Sequence, residues 1–482
     1  MKKKLLLLSF VEGATVMAVE MCGARSMAPY FGTGLYVWTS VMAVTLMALA
    51  GGYFVGGKQS ESSDRPAESL FRILFFASLC VVLMPLVSKY LFPLFTALPF
   101  IPALMGCTFF LLFLPVFFLG ASSPFFIRIQ VIAAADSGKA SGTIYAVSTF
   151  GGILSTLLCG FYLIPQLGIQ YTLLMFGILL MAFSALVLSR FKPGTWLLFM
   201  ILIAVNGRSK VPASVLYKND GIMGTLVVQD LQQEKRTIRY LSLNGVTQTE
   251  IDLRSGKSIS AYQQVIDTLI PIASSARSGA LGLGLGGGYT GNVLVKKGYH
   301  TDAVEADRRI ADLASLYFGL NPRINVTIGD ARTYLNACNK TYALVVIDVF
   351  KSEELPSHLF SLESFIRLKQ LLSDSARVII NWHGYLQGDL GYGTQIVVRT
   401  LREAGFYTIP CSGPGTEDER NLLLVATVRP LPALPCRLDE TVAEASELNT
   451  DDRPILESAN AGAGLRWRMN YYRYYQQHHL FN

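Results

Sequence analysis

Charge is scarce in this chain. Of its 482 residues only 16% are Asp, Glu, Lys or Arg, while 51% are hydrophobic. A soluble protein usually carries about 25% charge, so the chain is not soluble throughout and part of it must lie in lipid. Cysteine pairing is also missing. The seven cysteines are scattered and none forms a CxxC pair, which argues against a zinc site or a disulfide framework. The shortage of charge is uneven. Residues 1–206 hold long apolar runs, whereas 207–482 read as ordinary globular sequence. The formal net charge of +7 is therefore weak support for nucleic acid, and no such partner is expected. Much of it sits in loops beside apolar runs, where Lys and Arg set membrane topology.

A membrane span needs roughly 20 mostly apolar residues. Such runs occupy 5–22, 35–57, 70–92, 97–120, 142–164 and 170–190, and a shorter one is 195–205. Lys2–Lys4 ahead of Leu5–Leu8 resembles a signal peptide, but the apolar run continues to Cys22 and further spans follow. A retained first helix is expected. With the N-terminus inside, Lys58, Arg65, Arg72, Arg128, Lys139, Arg190 and Lys192 fall in inner loops, and Arg25 and Lys89 fall outside. That is a positive-inside bias. It predicts a multi-pass protein of the inner (cell) membrane with six spans, possibly seven. With 195–205 at the interface, the second half lies in the cytoplasm; a true seventh span would place it outside. Glu12 and Glu20 lie in the first span. The plain expectation is an ion pair of Glu20 with Arg25, and the alternative is a polar path through the bundle. Gly51, Gly52, Gly56 and Gly57 predict close helix contact.

The soluble half divides in two. Residues 207–256 alternate polar and apolar ("GTLVVQD", "RTIRYLSLNG") and predict a small β-meander. Residues 257–482 alternate strands and helices, from "GALGLGL" through "HTDAVEAD", "INVTIGDA", "YALVVIDVF" and "ARVIINW" to two late strands. This predicts a mostly parallel, doubly wound sheet. On such sheets ligands bind beyond the carboxyl ends of the strands. Gly284, Gly286, Gly287 and Gly288 follow the first strand and allow close approach of a ligand. Glu305 ends the second strand, where an acid can accept both ribose hydroxyls. Asp330 ends the third and could accept from an adenine amino group. Residues 286–291 also fit GxGxxG, so a dinucleotide site stays open. Asp330 and the late antiparallel strands favour an adenosyl-sulfonium nucleotide.

At these residues the sequence resembles the spermidine synthase (polyamine aminopropyltransferase) family, over most of 215–430. The likeness lies in "YLSLNGVTQTEIDLRSGKSISAYQQVI", "LGLGGGYTGNVL", "AVEAD", "IGDARTYL" and "VIDVFKSEELPSHLFSLESF". The pattern D-x-F…P-x-H-L and the first two hundred residues are similar to its membrane-fused members. The resemblance implies a multi-helix transmembrane bundle fused to a Rossmann-like domain of the class I S-adenosylmethionine methyltransferase type. It implies S-adenosylmethionine or its decarboxylated form as co-substrate, a possible polyamine acceptor, and a homodimer. It assigns Gln248, Tyr289 and Ala331 to the nucleotide, Tyr262 and Gln263 to the reaction and substrate, and Asp348 to the base that takes the amine's proton. Glu353 is placed beside it as a second acid.

The departures are specific. Tyr289 stands where the family's glycine loop usually ends in Asp, Lys351 where a second acid stands, and Asn244 where the opening LDG turn has Asp. A polycation wants several carboxylates, and this site is short of them. Elimination without an amine, releasing methylthioadenosine, is therefore a close variant, and methyl transfer a third. A nucleotide-sensing transporter is the non-enzymatic reading. His358, after Pro356, is expected to line the pocket. Trp382 with Tyr385 is expected to form an apolar wall over the ligand. The segment "RWRMNYYRYYQQHHLF" is expected to be a solvated tail.

Overall fold

Lys2 to Val187 is almost continuous helix, because the apolar runs satisfy their backbone groups internally as lipid demands. The computed structural model describes residues 2–477 apart from 96–97, 132–136, 189–199, 201–211, 234, 276, 351–354, 414, 431–433, 435–441 and 444. Its helices are α1 (Lys2–Phe31), α2 (Leu35–Ser62), α3 (Pro66–Phe95), α4 (Phe100–Gln130), α5 (Ser137–Leu158) and α6 (Ile164–Val187). A π turn, Cys159–Leu163, joins the last two. Among the described residues five continuous helices are long and apolar enough to cross a membrane, and the last runs from Ser137 to Val187. It breaks at Gly168, whose φ of 79° and ψ of 169° are not helical. The fifth and sixth runs of the sequence fall on its two limbs.

Glycines set how closely the helices approach. A Cβ on Gly52 would run into the Phe117 carbonyl, and one on Gly56 into that of Ala121. The α2–α4 contact is thus the close packing that these glycines predict. Glu12 is bonded across the bundle, accepting from Ser148 Oγ at 3.1 Å. Arg25 donates to the carbonyl of Ile222 at 2.8 Å.

Two compact units emerge. One is Met1–Ala213 with Lys218–Leu226 and Tyr475–Asn482, and the other is Ser214–Tyr217 with Val227–Tyr474. Within the first, Leu5 and Leu8 share a core with Leu70, Phe125, Ile144 and Leu180, and Val187 packs on it. So α6 ends beside the start of α1. The turn Lys218–Leu226 stands at the other end, where Ile222 meets Arg25 and Asp220 accepts from the Ile169 N–H at 3.1 Å. The six apolar runs thus fall on α1 to α6. Residues 187 and 218 stand at opposite ends of the bundle. The loop-charge bias gives the expectation that the Arg25 end lies outside. Single cysteines at Lys89 and Ile222 are then expected to react with an impermeant maleimide from outside, and one at Arg128 is not. The reverse pattern would invert the bundle.

The strands form two sheets. Strands β1 (Val215–Gly221), β2 (Gly224–Gln233), β3 (Arg236–Leu243) and β4 (Val246–Asp252) form a sheet in that order. The larger sheet has seven strands in the order β10-β11-β9-β8-β5-β6-β7. These are β5 (Gly279–Leu283), β6 (His300–Glu305), β7 (Asn325–Ile328), β8 (Tyr342–Ile347), β9 (Leu372–Trp382), β10 (Tyr407–Ser412) and β11 (Leu422–Thr427). β5 to β9 pair in parallel, and β11 pairs antiparallel with both β9 and β10. The chain winds outward from β5 through β6 to β7, then crosses back to β8 on β5's other side. That reversal makes the carboxyl ends of β5 and β8 the switch point, where doubly wound sheets place their ligands.

The last described helix, Ala461–Gln477, replaces the solvated tail expected of that sequence. Ala463, Arg468 and Tyr472 are buried along it. Arg466 pairs with Asp418 at 2.8 Å. Side chains with an apolar body and a polar tip can be buried where no run of aliphatic residues marks a face, a pattern that an apolar-stripe reading of the sequence misses.

Candidate functional site

The switch point is closed by backbone. Gly284 follows β5 with φ of 88°, and a Cβ there would run into the carbonyl oxygen of Asp348. Only glycine meets both demands. Its N–H donates to the Val304 carbonyl at 2.9 Å, and the Asp348 N–H donates to Leu283 at 2.8 Å. Gly288, with φ of 81°, caps the helix Tyr289–Lys296. Between them, the Gly287 N–H donates to Thr249 Oγ1 at 2.7 Å. Thr249 lies on β4 and is buried, so the small sheet clamps the glycine loop. Gln248, its neighbour, donates to the Val246 carbonyl at 3.4 Å.

Glu305 ends β6 and is buried. Its Oε2 accepts from the Leu285 N–H at 3.1 Å and its Oε1 from the Asp307 N–H at 3.0 Å. Burial pushes its carboxyl above the usual carboxylate range, against the pull of those backbone donors. A carboxylate has about four lone-pair sites, so acceptor capacity remains. Asp330 caps the helix Ala331–Ala337, its Oδ1 accepting from the Thr333 N–H at 2.8 Å. Its Oδ2 lies 3.1 Å from His358 Nε2. Burial pushes the Asp330 carboxyl up, but the bonds from Thr333 and His358 outweigh this and hold it low. Asp330 and His358 therefore meet, and both are partly exposed.

Asp348 follows β8. Asn381 Nδ2 donates to its Oδ1 at 2.8 Å, and the Tyr262 hydroxyl donates to its Oδ2 at 3.3 Å. Burial pushes its carboxyl up, and the two donors only partly counter this. Tyr262 belongs to the helix Ala261–Leu269, which follows the small sheet. Asn381 is in turn fixed, its Oδ1 accepting from Asn421 Nδ2 at 2.9 Å. The arrangement is a desolvated carboxylate with both oxygens oriented, suited to taking a proton.

Three expected side chains are buried. Trp382 is fully buried, with its Nε1–H donating to Thr394 at 2.9 Å. It is a core residue, not a wall over a ligand, because successive strand residues face opposite ways. Asn381 takes the face toward Asp348 and Trp382 the other. Tyr385, its expected companion, is buried and donates to Asp418 at 2.8 Å. Gln263 is also buried, accepting from Ser258 Oγ. Glu353 lies outside the described residues. Asn381, Thr249 and Glu250 were missed in the sequence. Glu250 accepts from Ser260 Oγ at 2.8 Å, and burial pushes its carboxyl up. A polar residue late in the apolar strand "ARVIINW" is the signal that could have found Asn381.

No family model matches the chain. Segments of it are similar to curated proteins. Over 106 residues, 20% of the chain, it is 34% identical to a polyamine aminopropyltransferase of Vibrio vulnificus and spans 36% of that protein. Over 171 residues, 35% of the chain, it is 27% identical to a probable polyamine aminopropyl transferase of Bifidobacterium longum and spans 37% of it. Over 135 residues, 27% of the chain, it is 33% identical to an N-terminal histidine N-methyltransferase of Emericella nidulans and spans 24% of it. The chain thus covers well under half the length of these relatives.

Proposed function

We propose that this chain is a membrane-bound, spermidine synthase-like enzyme whose α/β domain binds an adenosyl-sulfonium nucleotide. S-adenosylmethionine or its decarboxylated form is the co-substrate. The enzyme transfers or eliminates the alkyl side chain and releases methylthioadenosine. The observation that carries this reading is the Asp348 carboxylate, oriented by Asn381 and Tyr262 beside the glycine loop. The similarity to aminopropyltransferases and to a methyltransferase supports it.

In this reading Glu305 holds the ribose, Asp330 and Ala331 face the adenine, and the glycine loop with Gln248 and Tyr289 borders the sulfonium arm. Asp348 accepts the proton released as the carbon–sulfur bond breaks. In transfer that proton comes from an attacking amine; in elimination it comes from the side chain. The absence of acids at Asn244 and Tyr289 favours elimination as the second reading. Membrane location in the inner membrane and assembly as a homodimer are part of the proposal.

Product analysis with the full chain tests the chemistry. Methylthioadenosine with a new polyamine means transfer, and methylthioadenosine alone means elimination. Adenosylhomocysteine would instead mean methyl transfer, and no product from either nucleotide would defeat the enzymatic reading. Nucleotide binding is tested apart from turnover. Glu305→Ala is expected to weaken binding by about 1–3 kcal/mol, the cost of removing hydrogen bonds to a charged group. Unchanged affinity by calorimetry would remove Glu305 from the site.

A further inference from the structure

A column of four rings crosses the carboxyl end of the sheet. Phe350 lies two residues beyond Asp348, and its ring stacks on His383 at 4.0 Å. His383 stacks on Trp467 at 4.6 Å, and Trp467 on Tyr471 at 5.2 Å, all within about 21° of parallel. Both ends of the column are held. Phe350 meets buried Trp382 edge-on at 6.1 Å. The Tyr471 hydroxyl accepts from the Thr247 N–H at 2.7 Å, one residue before Gln248. The middle is held too, because Asn460 Nδ2 donates to the His383 carbonyl at 3.1 Å. Burial pushes the His383 imidazole down to about 3, so it stacks as a neutral ring. Offset aromatic pairs at such spacings attract and have preferred geometry. The column therefore joins three elements of the site: the segment after Asp348, the segment after Asn381, and β4 with Gln248 and Thr249.

We infer that the helix Ala461–Gln477 is part of the reaction centre, with Trp467 a positioning residue that holds Phe350 and so fixes the backbone leaving Asp348. The inference rests on the reading of Asp348 as the base. Trp467 touches no reacting atom in that reading. Its effect is on where the carboxylate stands, and a displacement near 1 Å can cost about 10²-fold in rate.

The test uses the full chain in detergent. Trp467→Ala is expected to lower kcat about tenfold or more while KM for the nucleotide stays within about twofold, and Trp467→Phe is expected to recover most of the loss. If Trp467→Ala does not fold, Trp467→Leu, which keeps bulk without a ring face, takes its place with the same expected result. Unchanged kcat, or equal loss in the Phe variant, overturns the inference. Hydrogen exchange supplies a readout that needs no turnover. Amides of Asp348–Phe350 are expected to exchange faster in the Ala or Leu variant and normally in the Phe variant. If the wild type converts neither nucleotide, the enzymatic reading fails and the exchange data alone decide the positioning role; unchanged exchange refutes it.

Discussion

Asp348→Asn is expected to lower turnover by about 10²–10⁴-fold, the usual contribution of a general base, while nucleotide affinity stays near that of the wild type. The substitution is nearly isosteric. Its amide oxygen can still accept from Asn381, and Tyr262 can rotate its hydroxyl to accept from the new amide N–H. What disappears is the ability to take a proton. Because burial raises the Asp348 carboxyl above its ordinary range, the wild-type carboxylate is a stronger base than a solvated one. The sign for pH follows. The base works only when deprotonated, so wild-type activity should fall as pH drops through that raised value. The Asn variant should lack this acid limb. Steady-state rates over a pH series and calorimetry with each nucleotide measure both properties. Near-normal turnover in the variant would reduce Asp348 to a structural carboxylate and move attention to Tyr262 and Glu353.

Gly284→Ala is expected to be the most damaging single methyl in the α/β domain. Left-handed backbone costs a residue with a Cβ roughly 1–2 kcal/mol, and overpacking adds typically 1–3 kcal/mol. Both apply at once, since φ is 88° and the new Cβ would meet the carbonyl oxygen of Asp348. A loss of about 2–5 kcal/mol is expected, a large share of an ordinary domain's stability. Gly282 is the internal control. It lies two residues earlier on β5, where the nearest atom to an added Cβ is 3.8 Å away. Gly282→Ala should be close to neutral by thermal melting, and Gly284→Ala should melt far lower or fail to accumulate. Equal melting of the two would mean that β5 and the Asp348 segment are not locked together as described.

Two of the residues that could be read in advance stand where the chain leaves an apolar stretch, Glu305 after "AV" and Asp348 after "ALVVI". An acid just beyond such a stretch marks the carboxyl end of a strand, where doubly wound sheets place their ligands. The parts that could not be read depend on which face of an element is buried. Asn381 and Trp382 are adjacent, and nothing local says which of them faces Asp348. The helix Ala461–Gln477 lacks a clean apolar stripe, because Trp467, Arg468, Tyr471 and Tyr472 mix aromatic bodies with polar tips. Its partners, His383 and Thr247, lie far away in sequence. The break at Gly168 was hidden for the same reason: one glycine in an apolar run says nothing of its φ until its neighbours are placed.

Order of synthesis gives the ring column a further meaning. Trp467 and Tyr471 are made more than 170 residues after the glycine loop that borders the same crevice. At about 5–20 residues per second, roughly 9–35 s separate the two. The long apolar helices, the small sheet and the parallel strands all precede that helix off the ribosome. Asp348, Asn381 and Tyr262 are all made before that helix, and Phe350 can already stack on His383, but the other face of His383 has no ring until Trp467 emerges. The nascent protein can thus assemble its glycine loop and the contacts of Asp348 well before the ring column closes, and Trp467 emerges only after all six apolar runs.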